Sequence, residues 1–188
     1  MRASGESDGR VITFGIRESE DCLLWVNFVK ERFPDSKIIL TGISMGAATV
    51  MTALTKPLPN EVVCVLADCG YTTPKDIISK VLRDIHLPVW LFYPAIKLGA
   101  KLFGRFDLEE TSALEGVKNT KIPVILMHGD DDAFVPCEMS EELYAVCTAP
   151  NKRLVKIEGA GHGLAFPKAK EEYINALREF EAEAQFIN

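Results

Sequence analysis

The feature that most constrains this sequence is residues 37–53, where Gly-Ile-Ser-Met-Gly separates two different kinds of segment. A short β-branched run, 38–41, precedes it, and a helix of small residues follows it. A strand that enters and a helix that leaves place Ser44 at a sharp corner, with Gly42 and Gly46 allowing tight backbone packing. Such a corner presents a hydroxyl above the edge of a sheet. The alternative is a serine that only caps the helix.

Composition narrows the possible functions. With 188 residues and 47% hydrophobic content, the chain can bury one sizeable core, so we predict one domain over 1–188. The net charge of −6 and the lack of a basic run argue against nucleic acid as a partner. No apolar segment approaches the roughly 20 residues that span a bilayer, so we predict no membrane span.

The five cysteines are odd in number and lack metal-ligand spacing. We interpret them as reduced thiols of a cytoplasmic protein, without a disulfide framework or a metal site.

Hydrophobic periodicity predicts alternating strands and helices. Apolar runs at 38–41, 62–67, 122–127 and 153–157 are typical of buried strands, and amphipathic patterns at 16–33, 138–147 and 168–183 indicate helices. Buried strands joined by helices form parallel sheets. The fold class that follows is α/β, a three-layer sandwich with a mostly parallel sheet.

Residues 71–121 interrupt this alternation with two predicted helices, 74–85 and 88–103, and an acidic start of a third at 107–110. Most of their apolar side chains are expected to pack these helices onto the sheet. There are more apolar side chains than this packing needs, and the surplus suggests a helical lid whose inner wall contacts an apolar substrate. Trp90 and Phe92 in this segment, together with Phe134 and Leu164, are the predicted substrate-binding residues.

Two later stretches carry the other chemistry. The third predicted strand runs into His128-Gly129-Asp130-Asp131-Asp132-Ala133-Phe134-Val135-Pro136, and the fourth is followed by Gly161-His162-Gly163. Active sites in parallel α/β sheets collect past the carboxyl ends of strands, where Ser44 also lies. A serine nucleophile needs a base that is oriented by an acid. His162 can be that base, and three neighbouring aspartates are candidates for the acid.

Together these motifs resemble the α/β-hydrolase superfamily, and are most similar to bacterial serine esterases and peptidase-like hydrolases with a short helical lid. The resemblance implies that Ser44 is the nucleophile, His162 the base and Asp132 the acid. Asp130 and Asp131 then belong to turns or caps, and His128 is structural. The Met45 backbone N–H would donate to the oxyanion. Such an enzyme acts on a small acyl substrate and needs no cofactor or metal.

The sequence also departs from that family. It looks like the carboxy-terminal part of the fold, lacking the first strands and the loop that supplies a second oxyanion donor. The outer edge of strand 38–41 is then open, and we expect a homo-oligomer to cover it. The leading function is hydrolysis of carboxylic esters, with amides or peptides as further substrates. The alternative is a poorly active or non-catalytic remnant that serves as an interaction module.

Overall fold

The computed structural model describes residues 2–185, which form one parallel sheet covered by helices. Its strands are β1 (Ile38–Ile43), β2 (Val62–Asp68), β3 (Val124–Gly129) and β4 (Lys152–Ile157), hydrogen-bonded in the order β1-β2-β3-β4. All three pairings are parallel. The predicted α/β fold with a parallel sheet is confirmed.

The helices alternate with the strands and add a helical segment after β2. They are α1 (Ile16–Arg32), α2 (Met45–Ala53), α3 (Pro74–Asp84), α4 (Val89–Gly99), α5 (Ala113–Lys118), α6 (Cys137–Val146), α7 (Ala165–Lys168) and α8 (Lys170–Ala184). A π-helical turn, Ala100–Gly104, continues α4. No helix within residues 2–185 is both long and apolar enough to cross a bilayer.

Helices cover both faces of the sheet because strand side chains alternate between them. On one face, Val65, Val124 and Leu126 pack with buried side chains of α1, α2, α5 and α6. On the other face, Ile125 and Met127 pack with those of α7 and α8. The two cores lie on opposite sides of the central strands, β2 and β3.

Two helix boundaries differ from the sequence prediction. Residues 107–110 form a turn, in which the Asp107 carboxylate accepts the N–H of Glu109 at 3.0 Å. The next helix, α5, begins only at Ala113, after the Ser112 hydroxyl that accepts the N–H of Glu115. The closing helix predicted at 168–183 is two helices, because the backbone at Ala169 leaves the helical conformation.

The segment predicted as a lid, residues 71–121, has two parts. Helices α3 and α4 pack around a separate small core that includes Leu82, Tyr93 and Phe106, and that core rests on Ile16 at the start of α1. Helix α5 instead packs against α2 in the main helical layer. The elements that lie apart from the main core are therefore α4 and the π-helical turn, whereas α3 contributes Ile77 to the main core and Ile78 and Leu82 to the small one.

Strand β1 is an edge strand with apolar side chains on its outer face. Ile39 is 43% exposed and Ile43 is 58% exposed, although both occupy a strand that pairs fully with β2. Leu24, Trp25 and Phe28 on α1 are also exposed. At the opposite edge, β4 carries Lys152, Arg153 and Lys156, and charged residues of this kind discourage further strand pairing.

A buried polar contact joins α8 to the end of β2. The Tyr173 hydroxyl donates to Asp68 Oδ2 at 3.1 Å, and the other oxygen, Oδ1, has no hydrogen-bond partner within the described residues. Burial raises the pKa of the Asp68 carboxyl above its ordinary value, and the Tyr173 hydrogen bond opposes that rise. The folded state therefore binds the Asp68 proton more tightly than the unfolded state does.

This raised pKa predicts a pH dependence of stability. The contribution of Asp68 is fully present below the unfolded pKa and is lost as pH rises through the higher folded pKa. Asp68→Asn removes the charge at every pH, so its melting temperature should fall less than that of the wild type between about pH 5 and about pH 8. Thermal unfolding measures this, with the exposed Asp131→Asn as the control. Parallel curves for Asp68→Asn and wild type would contradict it.

Candidate active site

Ser44 lies at the corner between β1 and α2, in a backbone conformation that residues other than glycine rarely adopt. Its φ is 56° and its ψ is −118°, a strained combination for serine. Its N–H donates to the Asp68 carbonyl at the end of β2, at 2.8 Å. The main chain of the central sheet therefore holds the strained residue in place.

The two glycines that flank Ser44 have different roles. A Cβ on Gly42 would lie 2.2 Å from the carbonyl carbon of Gly46 and 2.6 Å from the nitrogen of Ala47, distances that no real Cβ shows. A Cβ on Gly46 would meet nothing within 4 Å. The prediction that both glycines permit close packing is thus correct for Gly42 alone. The turn is tight because the strand backbone at Gly42 contacts the first turn of α2.

The three residues predicted as a triad lie together in one hydrogen-bonded chain. His162 Nε2 is 2.9 Å from Ser44 Oγ, and His162 Nδ1 is 2.7 Å from Asp132 Oδ2. A carboxylate only accepts hydrogen bonds, so Nδ1 carries the proton and Nε2 accepts from the serine hydroxyl. The Asp132 side chain is fully buried, whereas that of His162 is 29% exposed. The imidazole thus lies between a buried acid and an accessible hydroxyl.

Asp132 is fixed by the loop that follows β3. Its Oδ1 accepts the N–H groups of Phe134 and Val135, at 2.9 and 2.8 Å. The buried His128 holds the same loop, because its Nε2 donates to the Val135 carbonyl at 2.9 Å. Its Nδ1 must then accept the Ser140 hydroxyl, 2.6 Å away at the start of α6. His128 is buried and braces the acid, as its structural interpretation predicted.

The loop that carries His162 packs directly on the loop that carries Asp132. A Cβ on Gly129 would lie 2.0 Å from the Ala160 carbonyl oxygen, so only glycine allows this approach. Asp130 Oδ1 accepts the Gly159 N–H at 2.6 Å and joins the same two loops. The ring of Phe134 meets that of His162 edge-on, with centroids 5.0 Å apart. These contacts orient the imidazole.

An N–H group for the oxyanion is available at Met45. This residue begins α2, and the first N–H groups of a helix have no partner within the helix. Met45 also lines the cavity that opens beside Ser44. The predicted oxyanion donor therefore lies next to Ser44 in the lining of a largely apolar space.

That cavity has a volume of about 440 Å³ and a lining that is almost entirely apolar. Five of its lining residues come from α3 and the residue after it, and the rest surround Ser44. They are Phe14, Ser44, Met45, Tyr71, Ile77, Ile78, Val81, Leu82, Ile85, Ile96 and Phe134. The spacing of the α3 residues forms one apolar stripe of a helix, a signal in the sequence that could have identified them.

The predicted substrate-binding residues are only partly brought together. Phe134 lines the cavity, but Trp90, Phe92 and Leu164 do not. Trp90 is 78% exposed and Leu164 is 54% exposed, while Phe92 packs against the small core beneath α4. The apolar wall was predicted on the aromatic helix α4, whereas α3 and the residue after it supply five of the eleven residues that line the cavity and α4 supplies Ile96 alone.

Cys69 follows β2 and lies beside Asp132 and His162. Its sulfur and one ligand atom each of Asp132 and His162 lie within 4.8 Å of one another, close enough for a metal ion. The Asp132 and His162 atoms already bond to each other, and a serine mechanism needs no metal, so we assign no ion here. Burial raises the pKa of the Cys69 thiol to about 12. A protonated thiol is a poor nucleophile at neutral pH, so Cys69 does not compete with Ser44.

Comparison with known proteins places this arrangement in a family. The model described as the prolyl oligopeptidase family, Peptidase_S9, matches residues 13–185. The uncharacterized protein YqkD of Bacillus subtilis is 27% identical over 181 residues, which cover 95% of this chain and 59% of YqkD. The chain thus spans about three fifths of the length of that relative.

Solved structures of esterases have the same fold. The Pyrococcus furiosus esterase Pf2001 matches with a TM-score of 0.72 and 27% identity, over 97% of this chain and 68% of that protein. The monoacylglycerol lipase of Paleococcus ferrophilus matches with a TM-score of 0.61 and 24% identity, over 96% and 80%. The second likeness concerns the fold alone.

The steric difference between the two glycines yields a prediction. Gly42→Ala should lower the free energy of unfolding by about 2 kcal/mol or more, because the Cβ overlaps the backbone of α2. Gly46→Ala should be tolerated, because its Cβ points into open space and alanine favours helix. Chemical denaturation of the two variants measures both effects. Equal destabilisation would refute the elbow geometry.

Proposed function

Because this chain belongs to the prolyl oligopeptidase family of serine hydrolases, we propose that it hydrolyses carboxylic esters of apolar acids through Ser44, His162 and Asp132. One observation carries the proposal: the continuous hydrogen-bonded chain from Asp132 through His162 to Ser44, with distances of 2.7 and 2.9 Å. Those contacts join residues up to 118 positions apart in sequence, and they match what a serine nucleophile requires.

In the proposed mechanism, His162 Nε2 takes the proton of Ser44 as its oxygen attacks the ester carbonyl. Asp132 stabilises the imidazolium that results, and its own fixation by two N–H groups keeps it in place. The Met45 N–H donates to the oxyanion, a contact worth roughly 3 kcal/mol of barrier. His162 then returns the proton to the leaving alcohol. Water attacks the acyl-enzyme by the same route.

The lining of the cavity supports the substrate class. A volume of about 440 Å³ with an apolar wall accepts an alkyl or aryl acyl group, and nothing in the lining is charged. Amides and peptides are further proposed substrates, since the family is named for an oligopeptidase. We also propose that α3 and α4 act as the lid of a single domain, since both helices contribute side chains to the cavity wall and pack on a small core between them.

The second candidate function is a hydrolase-like interaction module with little or no activity. The observation that favours it is that apolar side chains are exposed at this edge of the sheet, with Ile39 and Ile43 on β1 and Trp25 on α1. A module of this kind would bind a partner through its exposed surface, and the hydrogen bond between Ser44 and His162 would have no catalytic role.

A fluorophosphonate probe and ester substrates separate the two candidates. We expect the probe to label Ser44, and p-nitrophenyl octanoate to be hydrolysed with a higher kcat/KM than the acetate. Ser44→Ala should abolish labelling and lower kcat by roughly 10⁴-fold or more. His162→Ala should do nearly the same while leaving Ser44 in place. The control for loss of a serine hydroxyl is Ser36→Ala, because Ser36 is exposed and lies on a turn between α1 and β1. Ser140 is unsuitable as a control, since its hydroxyl bonds to His128. A folded wild type that the probe does not label would overturn the enzyme proposal.

A cytoplasmic location is also part of the proposal. The five cysteines are free thiols in the structure, and reduced thiols persist in reducing compartments. Fractionation of the native host with an antibody to the chain tests the location.

Self-association through β1 is the remaining proposal. An edge strand with apolar side chains is a template for pairing with another strand, and a second copy paired edge to edge across a two-fold axis would bury Ile39 and Ile43. Sedimentation velocity at micromolar concentration should show a dimer of the 188-residue chain. Ile39→Lys combined with Ile43→Lys should shift it to monomer, whereas Leu164→Lys should not. A monomeric wild type would contradict the proposal.

A further inference from the structure

Helix α4 and the π-helical turn after it expose an unusually apolar surface. Of the residues in α4, Tyr93 alone is buried. The side chains that face outward are large and apolar, and we call them the α4 surface: Trp90, Leu91, Leu98, Leu102 and Phe103. Trp90 is 78% exposed and Phe103 is 85% exposed. A helix that is apolar all round is normally buried, so this surface indicates a contact with something apolar.

The α4 surface is continuous with the mouth of the cavity beside Ser44. Ile96 on α4 lines the cavity and is itself 38% exposed. Val81 and Ile85, from α3 and the residue after it, line the same cavity and are 37% and 57% exposed. Whatever covers the α4 surface therefore borders the entrance to the cavity. An occupant that is itself a source of apolar esters would fit this position.

The charge of this region is opposite to that of the chain. Residues 74–105 carry six basic and two acidic side chains, and Asp107, Glu109 and Glu110 bring the balance over 74–110 to +1, whereas the whole chain has a net charge of −6. Lys97 pairs with Asp107 and Glu109. Lys101 and Arg105 are exposed on either side of Leu102 and Phe103. Basic side chains beside large apolar ones favour an anionic surface with an apolar interior.

A second copy of the chain fits this surface less well. Two α4 surfaces that met across a two-fold axis would bring like positive charges together, which costs energy in an interface. The contact would also close the mouth of the cavity. A lipid bilayer has neither disadvantage. Its anionic headgroups attract lysine and arginine, and tryptophan and leucine side chains enter its headgroup and acyl boundary.

We propose that the α4 surface binds the interface of an anionic lipid bilayer, with α4 lying in the plane of the membrane and the cavity mouth facing it. Apolar esters would then enter the cavity from the lipid without crossing water. The entry of esters through the cavity mouth rests on the proposed hydrolase function, whereas the binding of the bilayer does not. Binding is therefore measured on its own.

The chain contains two tryptophans, Trp25 and Trp90, which makes a clean reporter possible. In a Ser44→Ala, Trp25→Phe background, all tryptophan fluorescence comes from Trp90 and no hydrolysis complicates the signal. Vesicles of phosphatidylglycerol and phosphatidylcholine should shift its emission to the blue and sediment the protein. Vesicles of phosphatidylcholine alone should bind it roughly tenfold or more weakly, because the charge attraction is lost. Because Ser44 is absent, this result stands whether or not the chain is an esterase.

Two variants test the two parts of the α4 surface. Leu102→Ser with Phe103→Ser should weaken binding to anionic vesicles at least about tenfold, because two apolar side chains no longer enter the bilayer. Lys101→Gln with Arg105→Gln should weaken it about tenfold at low salt and have less effect at high salt. Leu24→Ser removes a side chain that is 68% exposed on α1 and should change nothing. Circular dichroism checks that each variant is folded.

Three results would overturn the proposal. One is a folded reporter whose Trp90 emission is the same with and without anionic vesicles. Another is a loss of binding with Leu24→Ser as large as that with the α4 variants, which would mean a general apolar adhesion. The third is a blue shift of Trp90 that grows with protein concentration in the absence of lipid, which would make the occupant a second copy.

Discussion

The rest of the site depends on one close contact, between the backbone of Gly42 at the end of β1 and the first turn of α2. Because this contact leaves no room for a side chain, the chain must reverse direction within a few residues. Ser44 then takes a positive φ, which costs of order 1–3 kcal/mol. The hydrogen bond from its N–H to the Asp68 carbonyl helps to offset that strain, because it couples the turn to the central strand β2.

The second constraint is the parallel order of the sheet. Since β1, β2, β3 and β4 all run in the same direction, the loops after β1, β3 and β4 emerge at one edge. Three residues that lie far apart in sequence can then meet without long connecting loops. Gly129 allows the last two loops to touch, and the hydrogen bond between Asp130 and Gly159 joins them again. The position of the His162 ring is thus fixed by contacts between these two loops.

The helices α3 and α4 contribute a different property, which is an apolar surface on both sides. The inner side of α3 forms the wall of the cavity, and the outer side of α4 is exposed. Both helices pack on a small third core, and α3 also contributes Ile77 to the main core of the sheet. A substrate wall carried on a separately packed segment can differ in composition from the sheet without disturbing it.

The sequence by itself determined the local features of this protein. The β-branched run before Gly42 and the small-residue helix after Ser44 specify the elbow, and apolar periodicity specifies the strands and helices to within a few residues. Chain order and strand ends made His162 a candidate base and left three neighbouring aspartates as candidates for the acid. The choice of Asp132 among them came from the resemblance to the α/β-hydrolases.

Only the tertiary structure decided which apolar side chains surround the substrate space. The aromatic residues of α4 looked like the wall, yet α3 faces the cavity and Trp90 faces outward. Periodicity gives the faces of a helix but not the direction in which a lid helix is turned, since that depends on packing against residues such as Ile16 that are distant in sequence. The separate roles of Gly42 and Gly46 were hidden for the same reason, because steric contact is a property of the folded backbone.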